Sequence, residues 1–167
     1  MKIIKNKNQF SSFQDSADIP TIVRDFEALV EEGKGENGNG VYLSGVEKEK
    51  ANELTKTWAF NKIASDKISL WRSLSDKRSS QCKAVTYDTS SLPSSSVVII
   101  FNNEALSALL RTVWSVLDRS PPEILHEVVL VDDGSNHTEI TETLPLYIKH
   151  RKGWSGPLKI KRRAHKL

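Results

Sequence analysis

Two apolar runs separated by an amphipathic segment constrain the fold of this chain more than any other feature of its sequence. Residues 97–101 form a continuous β-branched run that is apolar on both faces, as expected for a buried strand of a covered parallel sheet. Residues 128–131 form a second run. Between them, apolar residues recur at the spacing of one helix face until Pro121-Pro122 ends the helix: Leu106, Leu109, Leu110, Val113, Val116 and Leu117.

The residues after the second run continue this alternation. Asp132-Asp133-Gly134-Ser135 indicates a sharp turn, residues 138–148 a second and weaker helix interrupted by Pro145, and residues 158–161 the start of a third strand. Strand, helix, strand, helix, strand at these spacings predicts an α/β fold, one half of a doubly wound, Rossmann-like sheet with right-handed crossovers. A length of 167 residues predicts one domain with tails.

The N-terminal half is less regular. Residues 1–40 are polar and turn-rich, which predicts a flexible leader with little packed core and one short helix near residues 19–30. Gly33, Gly35 and Gly38 have the spacing of a dinucleotide-binding loop, but no strand precedes them and no helix follows directly, so they indicate turns. Residues 41–95 read as a helical and irregular segment leading into a partial nucleotide-sugar-binding domain at 96–167. Within residues 41–95, Ser44 and Glu47 have capping-box spacing before a helix predicted at 46–60, and residues 61–87 are expected to be irregular.

Composition excludes several classes of protein. An apolar fraction of 38% and a charged fraction of 27% are typical of globular proteins. The longest apolar run, residues 97–101, is far shorter than the roughly 20 residues that cross a bilayer, and the N-terminus lacks the apolar stretch of a signal peptide, so we expect neither a membrane span nor a signal. The single cysteine, Cys82, fits either a reducing compartment or a partner cysteine elsewhere.

The basic residues are unevenly distributed. The chain has 24 Lys and Arg against 21 Asp and Glu, and eight of the basic residues lie in 149–167, which has no acidic residue. The first 148 residues therefore hold 16 basic against 21 acidic groups, a formal charge of −5. Such a tail is either a solvated segment or a nucleic-acid patch.

Two polar clusters follow the two predicted strands. Asn102-Asn103-Glu104 leaves the first and Asp132-Asp133 leaves the second, so both face one crevice if the strands are neighbours, at the edge where parallel sheets bind ligands. The Asp133 carboxylate suits the N–H and O–H donors of a base and ribose, whereas a diphosphate beside these acids needs a divalent cation. The other interpretation of Asp132-Asp133-Gly134-Ser135 is a turn with aspartate as its local acceptor, and both remain open.

These residues also carry a family resemblance. Over residues 35–135 the chain resembles the polypeptide N-acetylgalactosaminyltransferases, which start mucin-type O-glycosylation by moving GalNAc from UDP-GalNAc to Ser or Thr of proteins. The most specific stretch is Ser-Val-Val-Ile-Ile-Phe-Asn-Asn-Glu-Ala at 96–105. Residues 65–78, 109–113, 119–122 and 130–133 match in the same order.

The resemblance implies a GT-A fold, activity in the Golgi lumen, Mn2+ as cofactor and a retaining sugar transfer. Asp133 resembles the family's uridine-contacting aspartate, and Ile100 occupies a position that contacts the nucleotide. Glu104 matches the glutamate of the His-Asn-Glu signature, in which Asn102 stands here for the histidine. Cys82 resembles a cysteine that the family pairs with one in the distal half of its catalytic domain.

Residues 159–167 resemble the strand ahead of the family's Gly-Leu-Ile-Arg segment, so the Asp-x-His metal ligands, the later metal-binding histidine, the acceptor loop and the lectin domain are not among the 167 residues. We therefore assign no catalytic residue and no metal ligand, and expect a truncated, inactive, marginally stable half-domain. The alternatives are a residual UDP- or partner-binding module without catalysis and, less favoured, a basic-tailed nucleic-acid-binding protein. The resemblance indicates the Golgi, whereas the lack of a signal or anchor allows the cytoplasm. Without an entry signal, the sequon Asn136-His137-Thr138 is expected to be unused.

Overall fold

The computed structural model describes residues 19–150 and 158–162, arranged as a three-stranded sheet with helices packed against it. The first half holds four short or medium helices: α1 (Thr21–Glu27), α2 (Gly45–Trp58), α3 (Lys62–Asp66) and α4 (Ser80–Ala84), with 3-10 turns at Glu36–Gly38 and Thr89–Ser91. The second half alternates β1 (Ser95–Phe101), α5 (Leu106–Arg119), β2 (Leu125–Asp132), a π-helical turn at Glu139–Thr143 continuous with α6 (Leu144–His150), and β3 (Leu158–Arg162). The predicted order of strands and helices is confirmed.

The sheet is parallel, with β2 between β1 and β3. Val97 pairs with Val128 and Phe101 with Asp132, so the carboxyl ends of β1 and β2 lie side by side. On the other side of β2, Val128 pairs with Leu158 and Leu130 with Ile160. The chain therefore forms the adjacent parallel strands that the crossover pattern predicts.

The core lies between one face of the sheet and the helices α1, α5 and α6. The fully buried side chains of α5 and α6, among them Leu110, Val113 and Tyr147, pack with Phe101, Val128 and Leu130 of the strands in one apolar cluster. This packing explains the strong one-sided pattern of α5, because a helix face buried against a sheet must be apolar over its full length.

The opposite face of β1 corrects one expectation. The strand was predicted to be covered on both faces, yet Val98 is 56% exposed and Ile100 is 72% exposed, while Phe101 is buried. Side chains alternate along a strand, and the described helices pack against one face only. The continuous apolar run at residues 97–101 thus leaves two of its five side chains, Val98 and Ile100, at an uncovered face.

Residues 19–40, the described part of the N-terminal segment, contradict a second expectation. Val23 and Phe26 of α1 belong to the core, and the Phe26 ring meets the Tyr147 ring edge to face at 5.9 Å. The expectation that residues up to 40 add little packed core is therefore wrong for α1. The glycine-rich stretch does form turns, since Gly33, Gly35 and Gly38 all have positive φ.

Two local details also differ from the sequence pattern. The helix predicted at 46–60 is present as α2, but the Ser44 side chain makes no cap hydrogen bond, and Glu47 pairs with Lys67 at 2.9 Å instead. Pro145 does not interrupt the last helix, because it follows the π-helical turn and lies in the first turn of α6. No helix within residues 19–150 is long and apolar enough to span a bilayer.

Candidate functional site

The structure brings the two predicted polar clusters together at the carboxyl edge of the sheet. Asp133 N–H donates to the Phe101 carbonyl at 2.9 Å, which extends the pairing of β1 and β2 by one residue. The Asn102 side chain then donates from Nδ2 to the Asp133 carbonyl at 2.8 Å. Asn102 and Asp133 therefore lie together at one edge of the sheet, as expected if their strands are neighbours.

Asn103 connects the loop after β1 to the loop after β2. Its backbone has φ 48°, a left-handed conformation that asparagine tolerates better than most residues. Its N–H donates to Ser135 Oγ at 2.8 Å, and its Oδ1 accepts from the backbone N–H groups of Asn136 at 2.8 Å and His137 at 3.1 Å. Sequence reasoning missed this role, although an asparagine two residues after a strand was a usable signal for a left-handed turn.

The two aspartates after β2 have different surroundings. Asp132 is 3% exposed, and its Oδ1 accepts from Ser135 N–H at 2.8 Å across the turn. The interpretation of this motif as a turn with a local acceptor therefore holds for Asp132. Asp133 is exposed at the same edge, in contrast to the buried Asp132.

The other predicted site residues lie at the same edge or on the open face beside it. Glu104 is exposed, and its Oε1 accepts from the neighbouring Ala105 N–H at 3.2 Å. Ile100 lies on the uncovered face of β1, opposite in direction to the buried Phe101. The site residues Asn102, Glu104, Asp133 and Ile100 thus surround one corner of the sheet.

The N-terminus of α5 begins directly after Glu104 and Ala105, so its first N–H groups point to this corner. One of them, Leu106 N–H, donates to Glu139 Oε2 at 3.3 Å. Glu139 Oε1 lies 2.8 Å from Lys62 Nζ, and Lys62 is also 2.7 Å from Asp66 Oδ2. Burial lowers the pKa of Lys62, but hydrogen bonds to Asp66 and Glu139 outweigh it and leave that pKa above its ordinary value.

The N-terminal segment supports the site through further contacts that sequence reasoning did not find. Arg111 of α5 donates from Nη1 to the carbonyls of Ser65 at 2.8 Å and Ile68 at 3.1 Å. Burial of its guanidinium, with a smaller contribution from nearby Arg72, lowers the pKa of Arg111 to about 10, which leaves it charged at neutral pH. The Trp58 ring meets the His137 ring at 5.0 Å, which joins the end of α2 to the loop after β2.

The described residues do not fit a complete Mn2+ site. No three His, Cys, Asp or Glu side chains within 19–150 and 158–162 are grouped so that they could hold a metal. Asp132 is occupied by the turn, which leaves Asp133 and Glu104 as the accessible carboxylates of this corner. Cys82 is exposed and forms no disulfide with a described residue.

Comparison with known proteins first identifies the class. Residues 96–165 match the family described as Glycosyl transferase family 2. These residues contain the sheet, both strand-end loops and the α5 N-terminus. The fold is therefore that of part of a GT-A glycosyltransferase catalytic domain.

The relatives then show which family this segment resembles. Polypeptide N-acetylgalactosaminyltransferase 13 of Homo sapiens is 49% identical over 120 residues, which cover 72% of this chain and 21% of the relative. N-acetylgalactosaminyltransferase 7 of Rattus norvegicus is 41% identical over 160 residues, which cover 92% of this chain and 24% of the relative. The resemblance to the polypeptide N-acetylgalactosaminyltransferases is confirmed, and the chain is related to them over a segment of about a fifth to a quarter of their length.

A solved structure agrees with this assignment. The crystal structure of GalNAc-T7 with UDP, GalNAc and Mn2+ superposes with a TM-score of 0.72 at 43% identity, over 80% of this chain and 24% of that one. The predicted GT-A fold class is confirmed. Most of the basic stretch 149–167 lies outside the described residues.

Proposed function

We propose that this chain carries the uridine side of the nucleotide-sugar site of a polypeptide N-acetylgalactosaminyltransferase, an enzyme that transfers GalNAc from UDP-GalNAc to Ser or Thr of proteins. The observation that carries the proposal is the hydrogen bond from Asn102 Nδ2 to the Asp133 carbonyl, 2.8 Å long. It fastens the ends of β1 and β2 together and leaves the Asp133 carboxylate exposed at the edge where parallel sheets bind nucleotides. GalNAc-T7, to which this segment is similar, was solved with UDP.

In this proposal Asp133 accepts a hydrogen bond from the uracil N3–H. Because the acceptor is charged, the bond is stronger than one between neutral groups. Ile100 offers an exposed apolar side chain for the base or ribose. Asn102 holds the Asp133 backbone, and Glu104 accepts from hydroxyl groups of the ribose or the sugar.

The diphosphate needs positive charge that this corner does not supply, since Glu104 and Asp133 are both acidic. Mn2+, with which GalNAc-T7 was solved, would supply that charge and would balance the departing UDP. The described residues offer two accessible carboxylates for it, so we propose that the metal ligands lie on other residues of the enzyme. The 167 residues by themselves are then a nucleotide-binding segment without transferase activity, and the complete enzyme acts in the Golgi lumen.

Calorimetric titration of the chain with UDP and CDP tests the nucleotide role. Cytosine has an acceptor at N3 where uracil has a donor, so the parent chain should prefer UDP. Asp133→Asn keeps a neutral acceptor and should weaken UDP binding about 10-fold, which corresponds to the roughly 1–1.5 kcal/mol by which a hydrogen bond to a charged acceptor exceeds one to a neutral acceptor. The preference over CDP should shrink with it.

Asp118→Asn is the matched control. Asp118 is exposed like Asp133 but lies at the end of α5, at the opposite edge of the sheet, so UDP binding should not change. A folded chain that binds no UDP, or an Asp133→Asn variant that binds it as tightly as the parent, contradicts the nucleotide role.

A transfer assay tests the second part of the proposal. The chain is incubated with UDP-GalNAc, a mucin-like peptide and Mn2+, and the mass of the peptide is then measured by mass spectrometry. We expect no added GalNAc. Clear transfer by the 167 residues would show that their metal and acceptor sites are complete.

A further inference from the structure

We propose that Asn136 is an acceptor for an N-linked glycan at the rim of the candidate nucleotide site. Asn136-His137-Thr138 is the only Asn-x-Ser/Thr sequence among the 167 residues. Both of its functional side chains, Asn136 and Thr138, are exposed in the folded chain. Such sequences become glycosylated where they lie in surface loops of proteins that enter the secretory pathway.

The loop presents the two side chains while its backbone is held in place. Asn136 lies between β2 and the π-helical turn, and its backbone N–H donates to Asn103 Oδ1 at 2.8 Å. Its side-chain amide makes no hydrogen bond within the described residues. Thr138 precedes the π-helical turn and makes no side-chain cap hydrogen bond. Neither the amide nor the hydroxyl is therefore needed to maintain the folded structure.

The middle residue of the sequence anchors the loop. The His137 ring packs edge to face on Trp58 at 5.0 Å, and its backbone N–H also donates to Asn103 Oδ1 at 3.1 Å. With His137 turned inward, Asn136 and Thr138 on either side point to solvent. A glycan on Asn136 is consequently compatible with the folded chain.

The chemistry requires an oligosaccharide carried on a polyprenyl diphosphate. The Asn136 Nδ2 attacks the anomeric carbon of that oligosaccharide, the new N–C bond forms, and the bond from carbon to phosphate oxygen breaks. The polyprenyl diphosphate leaves with the electron pair, and one Nδ2 proton passes to a base of the transferase. The Thr138 hydroxyl is the group by which the transferase recognises the acceptor.

The position of the glycan follows from the loop. Asn136 and Asp133 both lie in the loop after β2, which is bonded to the loop after β1 through Asn103 and Asn102, so the glycan would be attached to the same pair of loops as the proposed uridine contact. Asn103 is bonded to this loop through Ser135 Oγ and the Asn136 backbone N–H and not through the Asn136 side-chain Nδ2, so the strand-end loop stays intact after modification. Modification in the native cell rests on the proposed function, because a Golgi enzyme passes through the endoplasmic reticulum. The ability of Asn136 to accept a glycan does not rest on the proposed function.

The experiment separates these two points by supplying the compartment. The 167 residues are translated behind a cleavable signal peptide with microsomes, and protease-protected chains are treated with peptide N-glycosidase. We expect a glycosidase-sensitive mobility shift in the parent. It should be lost completely in Asn136→Gln and in Thr138→Ala, and kept in Thr138→Ser, which retains the hydroxyl.

A second acceptor serves as the control. Val41→Thr, added to Asn136→Gln, creates a new Asn-x-Thr acceptor sequence that begins at the exposed Asn39. This double variant should regain the glycosidase-sensitive mobility shift. Protease-protected parent chains that carry no glycan, while the Asn39 control does, would overturn the proposal. UDP binding is measured separately on unglycosylated chains, so failure of the proposed function and failure of the glycan site give different results.

Discussion

Lys62 offers the sharpest test of how the N-terminal segment supports the site. It is 8% exposed, and its ammonium lies 2.7 Å from Asp66 Oδ2 and 2.8 Å from Glu139 Oε1. Glu139 in turn accepts from the first N–H of α5. The substitution Lys62→Met keeps an unbranched side chain of similar length and removes the ammonium, with its two ion pairs and its position over the Trp58 ring, 5.5 Å from the centroid.

The magnitude follows from what the substitution leaves behind. Removing one partner of a buried ion pair costs about 3–5 kcal/mol, because the other charge stays buried without compensation. The Asp66 side chain is 12% exposed, and its Oδ1 already lacks a hydrogen-bond partner within the described residues. The Glu139 side chain is 34% exposed, so water can hydrate its carboxylate after the lysine is removed. We therefore expect the lower end, about 3 kcal/mol, a large part of the roughly 5–15 kcal/mol that stabilises a typical domain.

Urea unfolding followed by tryptophan fluorescence measures this loss as a lower midpoint. Lys34→Met is the matched control: Lys34 lies 3.7 Å from Glu31, both side chains are more than 40% exposed, and the cost should be below about 1 kcal/mol. Adding Asp66→Asn to Lys62→Met removes the uncompensated charge and should restore part of the stability. If Lys62→Met is no more destabilising than Lys34→Met, the reasoning about a buried pair is refuted.

Two further predictions concern a glycine turn and an ion pair between β2 and β3. Gly35→Ala should destabilise the chain by more than Gly33→Ala: both residues have positive φ, which costs about 1–2 kcal/mol for alanine, but only at Gly35 would the new Cβ lie 2.7 Å from Ile68 Cγ2. Equal midpoints in thermal unfolding of these two variants would show that Ile68 moves aside freely. The hydrogen bond from Lys159 lowers the pKa of Glu127 below its ordinary value of 4.5, so this pair stabilises the folded chain above that pH and is lost as the pH falls through the lower folded value. Glu127→Gln should thus reduce the melting temperature at pH 7 and converge with the parent in acid, and a difference that persists unchanged in acid would rule out this account.

Most of the second half could be predicted from the sequence because its signals are local. The apolar run in β1, the helical spacing in α5 and the second run in β2 each depend on residues a few positions apart. The sequence also predicted that Asn102 and Asp133 would meet, since parallel neighbouring strands end at one edge. The hydrogen bond between them confirms this proximity, while the binding roles of Asn102, Glu104, Asp133 and Ile100 stay predictions.

The parts that sequence reasoning missed are contacts between distant residues. Lys62 meets Glu139, and Arg111 meets the Ser65 carbonyl, and no periodicity links such positions. The same holds for α1, whose polar surroundings concealed two side chains that belong to the core.

By itself the sequence determined the order of strands and helices, the family resemblance and the edge of the sheet where the proposed site residues lie, because repeating patterns and motifs express these properties locally. Only the tertiary structure decided which of two adjacent aspartates is buried in a turn and which is exposed. It also decided which face of β1 the helices cover. Both depend on which atoms the folded chain places nearby, since a carboxylate or an apolar side chain has the same identity in either environment.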